Sequence, residues 1–159
     1  MTLAYIGLGA NLGNAAAQVR NAFDELDRMP HSRVLRRSSL YRSAPIGHAD
    51  QPDFINAAAQ LETGLPAEWL LAELRGIEDH HGRTRSFANA PRTLDLDLLL
   101  YGRQTMNSAE LTLPHPRMHE RAFVLMPLAE IAPELAVPGR GPIRQLLQDC
   151  SSQDVERIA

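Results

Sequence analysis

The chain has 159 residues, of which 44% are hydrophobic, so its size and composition are typical of one folded domain with a packed core. The net charge of −3 argues against a dedicated nucleic-acid binder and a polybasic membrane anchor, and no apolar run is long enough to span a bilayer. The only cysteine, Cys150, excludes an internal disulfide and indicates a reducing compartment. We therefore expect a single domain over residues 1–159, cytoplasmic and monomeric, that binds neither nucleic acid nor membrane.

The basic residues exclude several kinds of phosphate and carbonyl chemistry. All 16 of them are arginines, because the chain contains no lysine. A Walker phosphate loop, a protein-kinase site and a Schiff-base enzyme each need a lysine side chain and are therefore excluded. Any anion that this protein binds must be bound by guanidinium groups, backbone N–H groups, histidine or a metal ion.

The first two thirds of the chain contain alternating strand and helix patterns. The predicted elements, in chain order, are a strand at residues 4–8, a helix at 15–29, strands at 34–41 and 54–61, a helix from 66 onward and a strand at 93–101. Gly7, Gly9 and Gly13 mark a loop near the first strand, and residues 42–52 and 82–91 form two long loops. Long loops in so small a protein are more often functional than decorative.

The remaining third predicts helical additions. Residues 113–116 are rigid and extended, residues 120–131 form a helix interrupted around Pro127, and residues 143–147 form another short helix. The last ten residues have few apolar side chains, and we expect them to fray. The order of elements predicts an α+β fold of the ferredoxin-like β-α-β-β-α-β type, with a mainly antiparallel sheet, helices on one face and extra C-terminal helical segments.

Two aspartates, Asp95 and Asp97, alternate with leucines in the last predicted strand. Alternation places both carboxylates on one side, with Cα atoms roughly 6.5–7 Å apart. The leucines expected on the opposite side, facing the core, are Leu94, Leu96, Leu98 and Leu100. Paired carboxylates suit a divalent cation such as Mg²⁺, which takes one or two of them together with substrate phosphates. The alternative is a solvated strand face, and Arg92 could either pair with the aspartates or reach a phosphate.

A second group of polar residues indicates an anion site. His115 lies between two prolines, and Arg117 and Arg121 follow with a spacing that places them on one face of a helix. The alternative is the capped start of a helix with solvated charges. Glu78 stands near the end of a predicted helix, where the helix dipole disfavours a negative charge. We therefore expect Glu78 to have a specific local partner, such as a ribose hydroxyl.

An aromatic ring and an amide share one side of the strand at residues 54–61. Phe54 and Asn56 are two residues apart and therefore point the same way. A flat heterocycle with donors and acceptors on its edge would suit this pair. The alternative is a core phenylalanine beside an asparagine whose hydrogen bonds are satisfied within the protein.

Taken in order, these motifs resemble the 6-hydroxymethyl-7,8-dihydropterin pyrophosphokinase family of the folate pathway. The most specific is Pro91-Arg92-Thr93-Leu94-Asp95-Leu96-Asp97, and the resemblance extends over about residues 4–137. The other matching segments are residues 5–13, 51–57, 77–78, 82–83, 114–115 and 121–123. The resemblance implies a ferredoxin-like fold and an ATP-dependent enzyme. It would transfer the pyrophosphoryl group of ATP to the hydroxymethyl oxygen of the dihydropterin and release AMP.

The resemblance also implies a role for each matching residue. Asp95 and Asp97 would hold two Mg²⁺ ions that bridge the phosphates, and Glu78 would help to bind the nucleoside. The residues that would contact the triphosphate are Arg83, Arg92, His115 and Arg121, of which Arg83 and Arg92 would act in catalysis with the two aspartates. Phe54 and Phe123 would sandwich the pterin, and Asn56 would bind its edge. The loop expected to line the pterin pocket consists of Ser43, Ala44, Pro45 and Ile46.

Two other functions remain open from the residues alone. One is a non-catalytic ferredoxin-like module that binds a nucleotide and regulates a partner. The other is a different two-metal nucleotidyl or phosphoryl transferase that uses another acceptor. Release of AMP in the presence of the dihydropterin distinguishes the pyrophosphokinase from both.

Overall fold

The computed structural model describes residues 1–45, 50–82 and 93–159, which form a mixed α/β structure with antiparallel strands. The strands are β1 (Thr2–Ala10), β2 (Ser32–Arg37), β3 (Tyr41–Ser43), β4 (Phe54–Thr63), β5 (Asp95–Tyr101), β6 (Met106–Asn107), β7 (Thr112–Leu113), β8 (Ala136–Val137), β9 (Gly141–Pro142) and β10 (Val155–Arg157). The helices are α1 (Ala15–Asp27), α2 (Ala67–His80), α3 (Ala122–Ile131) and α4 (Ile143–Asp149), with a 3₁₀ turn at Met118–Glu120. None of the described helices has both the length and the apolar character that crossing a membrane requires.

The main sheet has β4 and β1 at its centre. Its strands follow the order β10-β3-β4-β1-β5, and β2 pairs with the far part of β4 beside β3. Every pairing in this sheet is antiparallel. β6 pairs with β7 and β8 pairs with β9 in two small antiparallel ribbons.

Helices cover both faces of the sheet, which explains a run of alanines in β4. Ala57 and Ala59 belong to the apolar cluster under α1 and α2, whereas Ala58 belongs to the cluster under α3 and α4. Small side chains in a central strand let helices approach closely from either side. The expectation of helices on one face holds for α1 and α2 only, because the C-terminal helices cover the opposite face.

The predicted strand at residues 34–41 is two strands, β2 and β3, with an interruption between them. The N–H of Ser38 still donates to Ala58 O at 2.9 Å, and its hydroxyl accepts the N–H of Ala58 at 2.8 Å. The next N–H, that of Ser39, donates to the Glu130 carboxylate on α3 at 3.0 Å instead of to a strand. This contact from a distant helix ends β2.

The predicted leucine alternation in β5 holds only for part of the strand. Leu94, Leu96 and Leu98 lie in the cluster under α1 and α2. A register shift against β1 follows, and Leu99 and Leu100 both lie in the opposite cluster. The expectation that Leu100 would share a side with Leu98 was therefore wrong, because an irregularity in the ladder interrupts the two-residue period.

The last residues are part of the sheet, and the expectation of fraying was wrong. β10 pairs with β3 from Val155, opposite Ser43, to Arg157, opposite Tyr41. Beyond it, the N–H of Ile158 donates to Leu40 O at 2.9 Å. Backbone pairing to an edge strand fixes this segment despite its few apolar side chains.

The helix predicted at residues 120–131 is broken at a different place. α3 continues through Pro127, while Arg121 is extended, with φ −124° and ψ 107°, between the 3₁₀ turn and α3. The chain therefore changes direction at a residue predicted to contact phosphate.

Candidate active site

A cavity lies on the α3 face of the sheet, where β1 has glycines in place of larger side chains. Gly7 is paired with Asp97, and Gly9 is paired with Asn56 on one side and Asp95 on the other. A Cβ at Gly9 would lie 3.3 Å from Asn56 Oδ1. Of the glycines predicted to mark a loop, Gly13 lies in the bend after β1, whereas Gly7 and Gly9 lie inside the strand. Gly7 and Gly9 leave space between an amide and two carboxylates.

This cavity is lined by most of the residues predicted to contact a flat heterocycle. Those that line it are Ser43, Ala44, Phe54, Asn56 and Phe123. Asn56 is only 4% exposed, and its Nδ2 donates to Ser43 Oγ at 2.7 Å. That hydrogen bond orients the amide, so its oxygen is the atom that faces Gly9. A ligand edge would meet an amide that is already held in place.

Asp95 and Asp97 lie where this cavity meets a second, more open groove. Both are half-buried, both line the cavity, and both line the groove between α2, β5 and β7. No third His, Cys, Asp or Glu completes a metal-binding cluster with them within residues 1–45, 50–82 and 93–159. Two carboxylates alone are a typical protein contribution to a Mg²⁺ site in which substrate phosphates supply further oxygens. The donor set therefore fits a cation that binds together with a phosphate chain.

Glu78 fixes the strand between the two aspartates. It is 4% exposed, and its Oε2 accepts the backbone N–H of Leu96 at 2.8 Å. Glu78 also lines the groove beside Asp95 and Asp97. A buried carboxylate at the end of α2 thus has a local role in holding β5, and its position on the groove wall is compatible with contact to a ligand there.

His115 lies on the groove side of the acidic pair. Its Nε2 is 3.9 Å from Asp97 Oδ1, and the backbone N–H of Arg117 donates to its Nδ1 at 3.3 Å. Burial lowers the pKa of His115, the Arg121 guanidinium lowers it further, and the Asp95 carboxylate opposes both effects. Since Nδ1 accepts a hydrogen bond, the neutral ring carries its proton on Nε2, toward Asp97.

Arg121 and Phe123 form the wall opposite β4. The guanidinium of Arg121 lies over the Phe123 ring, 5.5 Å from its centre, and both residues line the cavity. Stacking on a ring favours a fixed guanidinium plane. Arg121, which directly precedes α3, is the only positive side chain among the described residues that line the cavity, and it shares this lining with Asp95 and Asp97.

Of the four remaining predicted site residues, only one is described. Ile46, Arg83 and Arg92 lie outside the described residues, in the segments 46–49 and 83–92. Pro45 is described and half-buried, but it is not among the lining residues.

Two residues at the site were not predicted: one lines the groove, and the other holds a segment next to the cavity. Arg75 lies on α2 and lines the groove together with Glu78, from which it is three residues away. Residues three apart on a helix share a face, so the spacing from Glu78 could have predicted that Arg75 lines the same groove. Asn11 is buried, and its Nδ2 donates to Gln51 Oε1 at 2.7 Å and to Pro52 O at 3.1 Å. It holds the segment before Phe54, a contact across 40 residues that no local pattern predicts.

The sequence matches a family model over most of its length. The model is described as 7,8-dihydro-6-hydroxymethylpterin-pyrophosphokinase, and it matches residues 5–133. The chain belongs to this family. Its members are ATP-dependent diphosphotransferases that transfer a pyrophosphoryl group to hydroxymethyldihydropterin in folate biosynthesis.

Curated relatives agree over nearly the whole chain. The 2-amino-4-hydroxy-6-hydroxymethyldihydropteridine pyrophosphokinase of Pseudomonas aeruginosa is 44% identical over 154 residues, which cover 97% of this chain and 95% of the relative. The protein of the same name from Haemophilus influenzae is 43% identical over 158 residues, or 99% of each chain.

Solved structures support the fold alone. The crystal structure of wild-type Plasmodium falciparum HPPK-DHPS with pteroate matches with a TM-score of 0.76 at 14% identity. The match covers 95% of this chain and 42% of that chain, so this chain spans less than half of the Plasmodium protein.

Proposed function

We propose that this chain carries out the family's reaction where its cavity and groove meet. The pyrophosphoryl group of ATP is transferred to the hydroxymethyl oxygen of 6-hydroxymethyl-7,8-dihydropterin, and AMP is released. The observation that carries the proposal is that Asp95 and Asp97 line both spaces. A pterin in the cavity and a triphosphate in the groove would therefore meet at the two carboxylates.

The pterin binds between aromatic rings and against an oriented amide. Phe54 and Phe123 stack on its two faces, and Asn56, fixed by Ser43, binds its edge. Ser43 and Ala44, which line the cavity, complete the pocket on this side.

Asp95 and Asp97 hold two Mg²⁺ ions together with the phosphates. When bound, the ions neutralise charge on the transferring group and on the departing AMP. The two carboxylates that would hold the ions line the cavity, and the Glu78 carboxylate binds the backbone N–H of Leu96 between the two aspartates.

The triphosphate is bound by arginine and histidine, as a chain without lysine requires. Arg121 lines the cavity and His115 lines the groove, and both spaces contain the acidic pair. Arg83 and Arg92 would complete the set, and Glu78 helps to bind the nucleoside from the groove wall. The hydroxymethyl oxygen of the pterin attacks the β-phosphorus, the bond from that phosphorus to the bridging α–β oxygen breaks, and the oxygen leaves with AMP. The proton of the hydroxymethyl group is released to solvent. Such a transfer needs positioning and charge neutralisation rather than a protein nucleophile.

We also propose a fold topology, an oligomeric state and a cellular location for this protein. The element order and the central strand order β5-β1-β4-β3 support a ferredoxin-like topology, extended by β10 and the C-terminal helices. We further propose that residues 1–159 form one domain that acts as a cytoplasmic monomer.

An AMP-release assay tests the proposed reaction. The purified protein is incubated with Mg²⁺ and ATP, with and without 6-hydroxymethyl-7,8-dihydropterin, and AMP is quantified by chromatography. Release of AMP that depends on the dihydropterin and equals the pyrophosphorylated product supports the proposal. Binding of ATP without AMP release would instead indicate a non-catalytic nucleotide-binding module. Transfer only to a non-pterin alcohol would indicate a transferase with another acceptor.

A further inference from the structure

The start of α3 lacks the side chain that usually caps a helix. Its N-cap residue is Arg121, whose side chain makes no capping hydrogen bond. Ser, Thr, Asp and Asn are preferred at such positions because their side-chain oxygens accept an N–H of the first turn. Arginine has no acceptor. Arg121, whose side chain is suited to binding phosphate, thus occupies the N-cap position, where a side chain with an acceptor would cap the helix.

The cap is supplied by Gln153, which lies 31 positions after Ala122, the first residue of α3. Its Oε1 accepts the N–H of Ala122 at 2.9 Å, and its Nε2 donates to the carbonyl oxygen of Glu120 at 2.7 Å. Ala122 is only 1% exposed, so water is a poor substitute as the acceptor for its N–H. The amide of Gln153 itself is on the surface of the protein.

These two hydrogen bonds constrain one residue in particular. The carbonyl of Glu120 belongs to the peptide group before Arg121, and the N–H of Ala122 belongs to the peptide group after it. Because one planar amide binds both peptide groups, it restricts both φ and ψ of Arg121. Those are the extended values that separate the 3₁₀ turn from α3 and direct Arg121 into the cavity.

Gln153 is itself tied to the opposite wall of the cavity. Its N–H donates to Cys150 O at 3.0 Å at the end of α4. Two residues later β10 begins, and its first residue, Val155, is paired with Ser43 of β3. The segment from residue 150 to residue 157 therefore joins the start of α3 to the strand whose Ser43 orients Asn56.

We propose that Gln153 is a positioning residue for pyrophosphoryl transfer: it fixes the backbone on both sides of Arg121 and so holds the guanidinium toward the triphosphate. The inference rests on the proposed role of Arg121 in binding that triphosphate. Gln153 does not contact a substrate and acts only through Arg121. Its contribution to catalysis must therefore vanish when the Arg121 side chain is removed.

A double-mutant cycle tests this dependence. Gln153→Ala, Arg121→Ala and the double variant are compared with the wild type by kcat/KM for ATP at saturating dihydropterin. We expect Gln153→Ala to lower kcat/KM about tenfold in the wild-type background and less than about twofold in the Arg121→Ala background. Gln145→Ala is the matched control, since Gln145 is an exposed glutamine whose side chain donates only to Asp149 on its own helix. The control should retain wild-type kcat/KM.

Gln153→Glu provides a second variant that keeps an acceptor for Ala122 while removing the donor to Glu120. We expect its melting temperature to stay close to that of the wild type and its kcat/KM for ATP to fall at least about threefold, because one of the two peptide groups is released. Wild-type kcat/KM in this variant would overturn the proposal.

The other outcomes separate the inference from the proposed function. If Arg121→Ala impairs the enzyme and Gln153→Ala causes the same loss in both backgrounds, the positioning role is overturned and the proposed site stands. If Gln153→Ala stays within about twofold of the wild type, the positioning role is likewise overturned. If Arg121→Ala has no effect on kcat/KM, both the role of Arg121 and that of Gln153 are overturned.

Discussion

The two faces of the sheet are built from alternate residues of the same strands, yet the cavity beside Gly7 and Gly9 lies on only one of them. On the face under α1 and α2, β1 presents Ile6 and Leu8, which are buried in a continuous apolar cluster. On the face under α3 and α4, the same strand presents Tyr5, packed in the second cluster, and then Gly7 and Gly9, which line the cavity.

The difference shows how a small sheet combines stability with an open site. Apolar packing fills one face along its full length, whereas the other face is packed only where α3 and α4 cover it. At the open end, the residues that β1 and β5 contribute to the cavity on this face are glycines and aspartates, which add little apolar burial. We therefore expect substitutions on the filled face to change the free energy of unfolding, and substitutions at the open end to change catalysis.

The largest expected effect is on catalysis at the open end. Asp97→Asn keeps the size of the side chain but removes one of the two carboxylates proposed to hold Mg²⁺. Loss of several kcal/mol of charge stabilisation corresponds to a drop in kcat of about 10³-fold. Steady-state AMP release measures it, and a melting curve checks the fold.

Asp24→Asn is the control for this loss of charge. Asp24 lies on α1 and forms an exposed ion pair with Arg37 at 2.9 Å. The control should keep wild-type kcat. A kcat for Asp97→Asn within about tenfold of the wild type would contradict the metal role of Asp97.

The filled face should respond with the opposite pattern. Leu26 of α1 is fully buried in the cluster under α1 and α2. Leu26→Ala should lower the free energy of unfolding by about 2–5 kcal/mol, because it removes apolar contacts and leaves a cavity. Urea denaturation measures the loss. The kcat per folded molecule should remain close to that of the wild type, and a large drop in it would show that the two faces are coupled.

A smaller effect is expected for a methyl group added to the floor of the cavity. In Gly9→Ala the new Cβ would lie 3.3 Å from Asn56 Oδ1, so the amide must shift from the position that Ser43 gives it. We expect KM for the dihydropterin to rise about tenfold, equivalent to about 1.4 kcal/mol.

Gly76→Ala on α2 is the control for added volume. Among the described residues, no atom apart from the neighbouring backbone of α2 lies within 4 Å of a Cβ at Gly76, and alanine is the better helix former by about 1 kcal/mol. This variant should be slightly more stable, with unchanged kinetics. An unchanged KM for the dihydropterin in Gly9→Ala would show that Asn56 does not bind the pterin edge.

The smallest effect concerns the carboxylate that ties α3 to the β3 wall. Glu130 accepts hydrogen bonds from the hydroxyl of Tyr41 at 2.6 Å and from the N–H of Ser39 at 3.0 Å. Burial raises the pKa of Glu130, but these hydrogen bonds and the Arg157 guanidinium outweigh it, so the pKa lies below the ordinary value of 4.5. Since the folded-state pKa is depressed, the stabilisation is present above that value and is lost as the pH falls through the lowered pKa.

Glu130→Gln isolates this contribution. At about pH 7 the wild type should be more stable by about 0.5–1.5 kcal/mol, and the difference should shrink once the pH falls below 4.5. Urea denaturation at neutral and acidic pH measures it. A difference that grows in acid would contradict the lowered pKa.

The local patterns of the chain predicted much of the fold. The two-residue period around Asp95 and Asp97 correctly placed both carboxylates on one side of a strand, away from Leu96. The β4 strand was also predicted, although three of its residues are alanines, which favour a helix.

Contacts between distant residues could not be predicted. The carboxylate of Glu130 ends β2 across 91 residues of sequence, and Gln153 caps α3 across 31. The pairing of β10 with β3 orders a C-terminal segment whose composition indicated fraying. In each case the contact is a hydrogen bond between residues that are far apart in sequence and meet only after the chain has folded. A short window of sequence contains only one of the two partners.

The most direct test of the central claim is the binding of a nucleotide that cannot react. α,β-Methylene-ATP lacks the bond that the reaction breaks, and calorimetric titration with and without Mg²⁺ measures the contribution of the metal to its affinity. For the wild type we expect Mg²⁺ to tighten binding at least about tenfold, or about 1.4 kcal/mol, and for the Asp95→Asn/Asp97→Asn double variant we expect that gain to disappear. An equal gain in both proteins would contradict the claim that this pair of carboxylates holds the metal.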